Sequence, residues 1–148
     1  MGTTQASDFL ENLIIDHLFR TRTWAKPTAL YVALFTAAPN DAGGGTEVGT
    51  GGTGYARIPL NPLDANWTAT QGGNAGNSTG TTGLTVNSSA IIFGAPTANW
   101  GTVGWYAIFD AVTGGNMWLW DAVVNPRTIV SGDPAPSFPV GSLQISVL

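Results

Sequence analysis

The stretch Gly104–Val124, "GWYAIFDAVTGGNMWLWDAVV", carries three tryptophans, a tyrosine and a phenylalanine around a Thr-Gly-Gly-Asn break. Val112–Asn116 reads as a hairpin loop, with glycines where a positive φ is needed, so the flanking segments are expected to pair. Alternation then sorts the side chains. Trp105, Ala107 and Phe109 share one face and Tyr106, Ile108 and Asp110 the other; across the turn, Trp118 and Trp120 oppose Met117, Leu119 and Asp121. Both faces carry bulk, the mark of a strand held between two layers within a domain or across a subunit contact.

Working outward, short runs of β-branched and aromatic residues recur between Gly, Pro and Asn clusters. They predict strands at 30–36, 55–60, 84–87, 90–93, 103–111, 117–123 and 143–147, and a weaker one at 128–130. No helical segment separates successive strands, so an antiparallel β-sandwich or barrel-like domain is expected rather than a doubly wound α/β fold. One helix precedes it. Over 8–20, Phe9, Leu10, Leu13, Ile14, Leu18 and Phe19 recur at three- and four-residue spacing, and Asp8 with Glu11 suggests a reciprocal N-terminal cap. A helix this short is marginal alone and needs its apolar stripe covered by the same chain or by a neighbour.

The 148 residues predict a single domain, with residues 1–26 a helical segment and 27–148 the β domain. The glycine-rich loops 41–54 and 71–83 are expected to be mobile arms that order on another surface. With no cysteine, neither a disulfide framework nor a thiolate metal site is available. Charged residues make up 9% of the chain, against the usual ~25%, which suits a surface that ends against other protein. The net charge is −4 and the five basic residues are scattered, which excludes a phosphate-binding footprint and argues against nucleic acid as a partner. The start lacks a basic, apolar leader, and the longest apolar run, Ala29–Phe35, is too short for a bilayer; synthesis in a host cytoplasm without membrane association is the expectation.

Catalytic constellations are not visible. His17 is the sole histidine and sits among apolar neighbours on the helix, with no nucleophile-elbow pattern to complete a triad. Asp110 and Asp121 could face each other across the hairpin, but a turn-flanking role suits them better than glycosidase chemistry. The "GGGTEVGTGGTG" segment lacks the lysine of a P-loop, and Asp41 with Glu47 lacks the EF-hand spacing, so no cofactor or metal is assigned. A saccharide platform of Trp105, Tyr106, Trp118 and Trp120 is the alternative use for the aromatics. Core and interface are preferred, because indoles dominate both through buried area. Trp24, Trp67 and Trp100 are read as seals at loop bases. Phe9, Leu13, Leu18, Trp118 and Trp120 are the candidate interface residues.

The order "SDFLENLIIDHLF", "ALYVALFTAAPNDAGGGTEV", "GYARIPL", "AIIFGAPTANWGTVGWYAIFDA" and "GDPAPSFPVGSLQISV" resembles small virion proteins of tailed bacteriophages, described as tail-fibre-like or as virion structural proteins. The resemblance covers almost the whole chain and is most specific at Leu30–Glu47 and Trp100–Asn116. It implies a non-enzymatic building block of the particle. The preferred form is a capsid-decorating (cement) protein, a homo-oligomer of trimeric type that bridges the major capsid protein. The alternative is a tail component such as a collar, tip or fibre-like module, with host-surface carbohydrate as a possible ligand.

Overall fold

A computed structural model of the chain describes residues 4–147. Chain order is β1 (Gln5–Ala6), α1 (Asp8–Phe19), β2 (Tyr31–Ala37), β3 (Thr46–Glu47), β4 (Ile58–Pro59), β5 (Leu84–Val86), β6 (Ile91–Ile92), β7 (Gly101–Phe109), β8 (Met117–Ile129), β9 (Ser137–Phe138) and β10 (Gln144–Ser146). The main sheet runs β1-β8-β7-β2-β3, all antiparallel. β4 and β3 take successive stretches of β2, at Tyr31–Val32 and at Phe35–Ala37. Two antiparallel ribbons, β5–β10 and β6–β9, complete a mainly β, sandwich-like fold.

The sheet buries both faces, as the aromatic hairpin predicts. On one face Val32, Leu34, Tyr106 and Ile108 pack with Ile91, Phe138 and Ile145 from the ribbons. On the other, Ala33, Phe35, Ala107, Phe109 and Met117 form a second cluster, against which Trp105 and Trp120 lie half-buried. Phe35 and Phe109 stack there at 6.2 Å. Trp100 seals its loop base as read, buried with its indole N–H donating to Thr53 O at 2.8 Å.

Alternation fails at the start of β8. Ile108 opposes Leu119 while Phe109 opposes Met117, so Trp118 is an extra residue in a β-bulge. Met117, expected beside Leu119, therefore lies in the second cluster with Trp120. A larger irregularity sits further along. Trp105 opposes Ala122 and Val103 opposes Arg127, which leaves Gly104 facing Val123–Pro126. Pro126 has no N–H to give a ladder and is tolerated where the pairing breaks. The weak segment at 128–130 is thus the far end of β8, not a separate strand.

Three short strands escaped the pattern: β1, β3 and β9, each two residues long. Two residues cannot show a period. The cap of α1 is also one residue earlier than expected. Ser7, not Asp8, occupies the N-cap and its hydroxyl accepts from Leu10 N at 3.3 Å. Ser7 is buried, and it also donates to Met117 O while its own N–H bonds Trp118 O at 3.0 Å, so one residue starts the helix and ties it to β8.

Asp41–Gly54 is not a free arm. Val48 is buried and bonds Leu34 O at 2.9 Å, and Glu47 forms a two-oxygen ion pair with Arg57, both contacts at 2.8 Å. Arg57 Nη1 donates on to Ala111 O at 2.9 Å and Gly114 O at 2.8 Å, and its guanidinium lies 3.6 Å over the Phe109 ring. The loop is bolted to the hairpin turn. Gln71–Gly83 is largely exposed but closes on itself: Thr79 N donates to Gln71 Oε1 at 2.9 Å and Gln71 Nε2 to Asn77 O at 3.0 Å. Both segments thus make hydrogen bonds within their own chain.

Candidate assembly surface

The helix α1 is attached by one face only, and none of its residues is fully buried. On the attached side Phe9 meets the Trp118 ring edge-on at 5.4 Å, and Trp118 meets Trp24 at 5.3 Å. His17 continues the row at 6.2 Å from Trp24 and accepts the Trp24 backbone N–H at Nδ1, 3.3 Å away. The bulge at Trp118 is what turns this indole off the sheet and toward the helix. A cavity of about 290 Å³ lies beside the cluster, lined by Phe9, Leu13, Trp24, Pro27, Asp110 and Trp118.

On the opposite side the helix presents Asp8, Glu11, Asn12, Ile15, Leu18 and Phe19 to solvent. Ile15, Leu18 and Phe19 are 50%, 65% and 76% exposed, at the i, i+3, i+4 spacing that makes one continuous patch on a helix. Acid precedes this patch and base follows it. Asp8 and Glu11 lie in the first turn, and Arg20, Arg22 and Lys26 come just beyond the last. Arg20 pairs with Asp16 at 3.0 Å; among the described residues neither Arg22 nor Lys26 makes an ion pair.

The five candidate residues are therefore divided. Phe9, Leu13 and Trp118 meet at the internal aromatic cluster, Trp118 being 8% exposed. Trp120 belongs to the second sheet-face cluster, and only Leu18 stands on the open side. Ile15 and Phe19, absent from that set, complete the exposed patch with it. Their helical spacing to Leu18 was readable; that they face away from the domain was not.

The titratable groups pair locally, as in Tyr55–Glu47–Arg57, and each pair serves the fold. Asp110 accepts from Asn116 N at 2.7 Å and from Asn116 Nδ2 at 2.9 Å, which closes the hairpin turn. Asp121 opposes Tyr106 rather than Asp110, which corrects the facing pair considered above. Burial pushes the hydroxyls of Tyr55 and Tyr106 well above the usual phenol range, with the Glu47 and Asp121 carboxylates adding to it, so both remain neutral donors. Tyr55 donates to Glu47 Oε1 at 2.8 Å and Tyr106 to Gln144 O at 2.9 Å. Among the described residues no three His, Asp or Glu side chains gather as a metal site, and no helix is long and apolar enough to cross a membrane.

An antiparallel β-sandwich that spends its aromatics on its own layers and leaves a bare apolar helix face defines a β-rich structural module. The chain belongs to the Gp80 family, described as podophage GP4 fiber I protein gp80, whose model matches residues 5–146. It is a virion structural protein of the tailed-phage type. Comparison with curated proteins finds no match.

Proposed function

We propose that this protein is a tail-fibre-associated subunit that acts by contact with other subunits rather than by catalysis. The observation that carries the reading is the match to a fibre family over 5–146, almost the whole described chain. It favours the tail-associated alternative; nothing in the family's description supports capsid decoration. The one tight cluster of titratable groups described, Tyr55 with Glu47 and Arg57, ties the 41–54 loop to the hairpin turn, which suits a mechanical role.

The saccharide platform has little to stand on. Tyr106 is fully buried, and the Trp118 ring is covered by Phe9 and Trp24, so neither offers a flat face to a sugar. Trp105 and Trp120 are half-buried against the second cluster.

Labelling decides the location. A tagged copy incorporated into particles of the parent phage, imaged by electron microscopy, is expected to place the tag at the tail. Tags distributed over the capsid shell would refute the proposal and restore the decorating role.

A further inference from the structure

The ring faces of Trp24 and Trp118 are spent on each other and on Phe9, but their N–H edges are not. Both indole nitrogens are buried, and neither finds an acceptor among the described residues. Both residues line the cavity of about 290 Å³ beside α1. We propose that this cavity binds one ring of a neutral saccharide, whose hydroxyls bond the two indole N–H groups and the Asp110 carboxylate. The proposal goes beyond the structural reading above and does not depend on it.

The polar groups around the cavity fix the chemistry of the ligand. A buried donor without a partner is costly, so two of them beside one cavity call for an occupant with oxygen acceptors. Asp110, on the same wall, calls for a donor. Its bonds from Asn116 N and Nδ2 take two of a carboxylate's roughly four acceptor sites. The Trp118 N–H is directed toward this carboxylate without closing a hydrogen bond, which leaves a gap for a group that bridges them. A hydroxyl accepts and donates, and so meets both demands at once.

Other ligand classes fit less well. An anion is repelled by Asp110, and no Arg or Lys lines the cavity. An ammonium suits the carboxylate and the aromatic rings but offers neither indole an acceptor. A side-chain amide has one oxygen for two donors. A sugar ring carries several hydroxyls around its rim, and its C–H faces suit the apolar walls formed by Phe9, Leu13 and Pro27. The volume lies just under the roughly 300–1,000 Å³ of pockets that enclose drug-sized ligands, which leaves room for a single ring. Thr28 also lines the cavity and is exposed, so the site opens to solvent. This pocket uses indole edges, whereas the platform set aside above needs exposed indole faces.

The six tryptophans give the test its readout, because each indole N–H yields its own signal in a proton–nitrogen correlation spectrum. Trp24→Phe and Trp118→Phe assign two of these signals while keeping an aromatic ring at each position. Methyl glycosides of glucose, galactose, mannose, N-acetylglucosamine and rhamnose are titrated singly into the full-length labelled protein. At least one should shift the Trp24 and Trp118 signals saturably, with a Kd on the order of 1–10 mM for a single small ring. The Trp100 signal, whose N–H is already bonded to Thr53 O, should stay in place. Trp24→Phe should weaken the binding about fivefold or more, with the other indole signals showing that the fold is kept. Thr28→Arg, which fills the cavity from an exposed position, should abolish it.

No saturable shift with any of these glycosides overturns the proposal. So does binding that Trp24→Phe and Thr28→Arg both leave unchanged. A response to tetramethylammonium or to propionamide in place of the glycosides also overturns it, by making the cavity a cation cage or a seat for a peptide amide. Tail labelling reads a different property: the glycosides can fail to bind while the tag still marks the tail, and can bind while the tag marks the shell.

Discussion

Arg57 joins three parts of the chain that sequence spacing does not connect, and replacing it by Met tests whether that junction holds the glycine-rich loop in place. The Met side chain keeps most of the volume against Phe109 but removes the two-oxygen pair to Glu47, both bonds to Ala111 O and Gly114 O, and the cation over the ring. Charged hydrogen bonds contribute about 1.5–3 kcal/mol each and the ring contact roughly 0.5–2 kcal/mol, but these effects do not add. Losing one partner of a buried pair costs about 3–5 kcal/mol. The Arg57 side chain is only 6% exposed but that of Glu47 is 26%, so water reaches the abandoned carboxylate. The lower end, about 3 kcal/mol, is the expected loss. Urea unfolding followed by tryptophan fluorescence reads it as a midpoint lowered by about 1.5 M, for a slope near 2 kcal/mol/M. Limited proteolysis should find new cuts within 41–54 at the same time. A loss below about 1 kcal/mol, with the loop still resistant, would refute the claim that this guanidinium anchors it.

Three other substitutions separate parts of the structure. Trp118→Ala should destabilise by about 3–5 kcal/mol because the indole is packed between Phe9 and Trp24, whereas Leu18→Ala should stay within about 0.5 kcal/mol. Equal effects in thermal or urea melts would undo the division of the helix into attached and open sides. Gly54→Ala should cost more than about 2 kcal/mol, since φ is +79° and an added Cβ would run into Ala95 O; Gly73→Ala, at φ +71° in open space, should show only the left-handed penalty of about 1 kcal/mol. The carboxyl of Asp110 lies below the ordinary carboxylate range: its partial burial pushes the other way, but the bonds from Asn116 outweigh it. A lowered folded value means stability present above about pH 4 and lost as pH falls through that folded value. Asp110→Asn should therefore flatten the acid side of the stability curve, and superimposable acid limbs for the two proteins would contradict that role.

Several features were determined by the sequence alone. Phe9, Leu10, Leu13 and Ile14 at helical spacing mark α1, and the Gly114–Gly115 break between alternating aromatic runs marks the hairpin, because each depends on neighbours within a few residues. Tertiary structure decided the rest. Whether Gly-rich 41–54 floats or binds depends on Glu47 reaching Arg57 and on Arg57 reaching the turn at Ala111 and Gly114, contacts among segments far apart in the chain. The bulge that sends Trp118 to the helix arises from the register of β7 on β8. It leaves Trp118 inside and Ile15, Leu18 and Phe19 outside. A helix's own period shows where its apolar residues lie around the axis, and only the surface it lands on determines which of them stay bare.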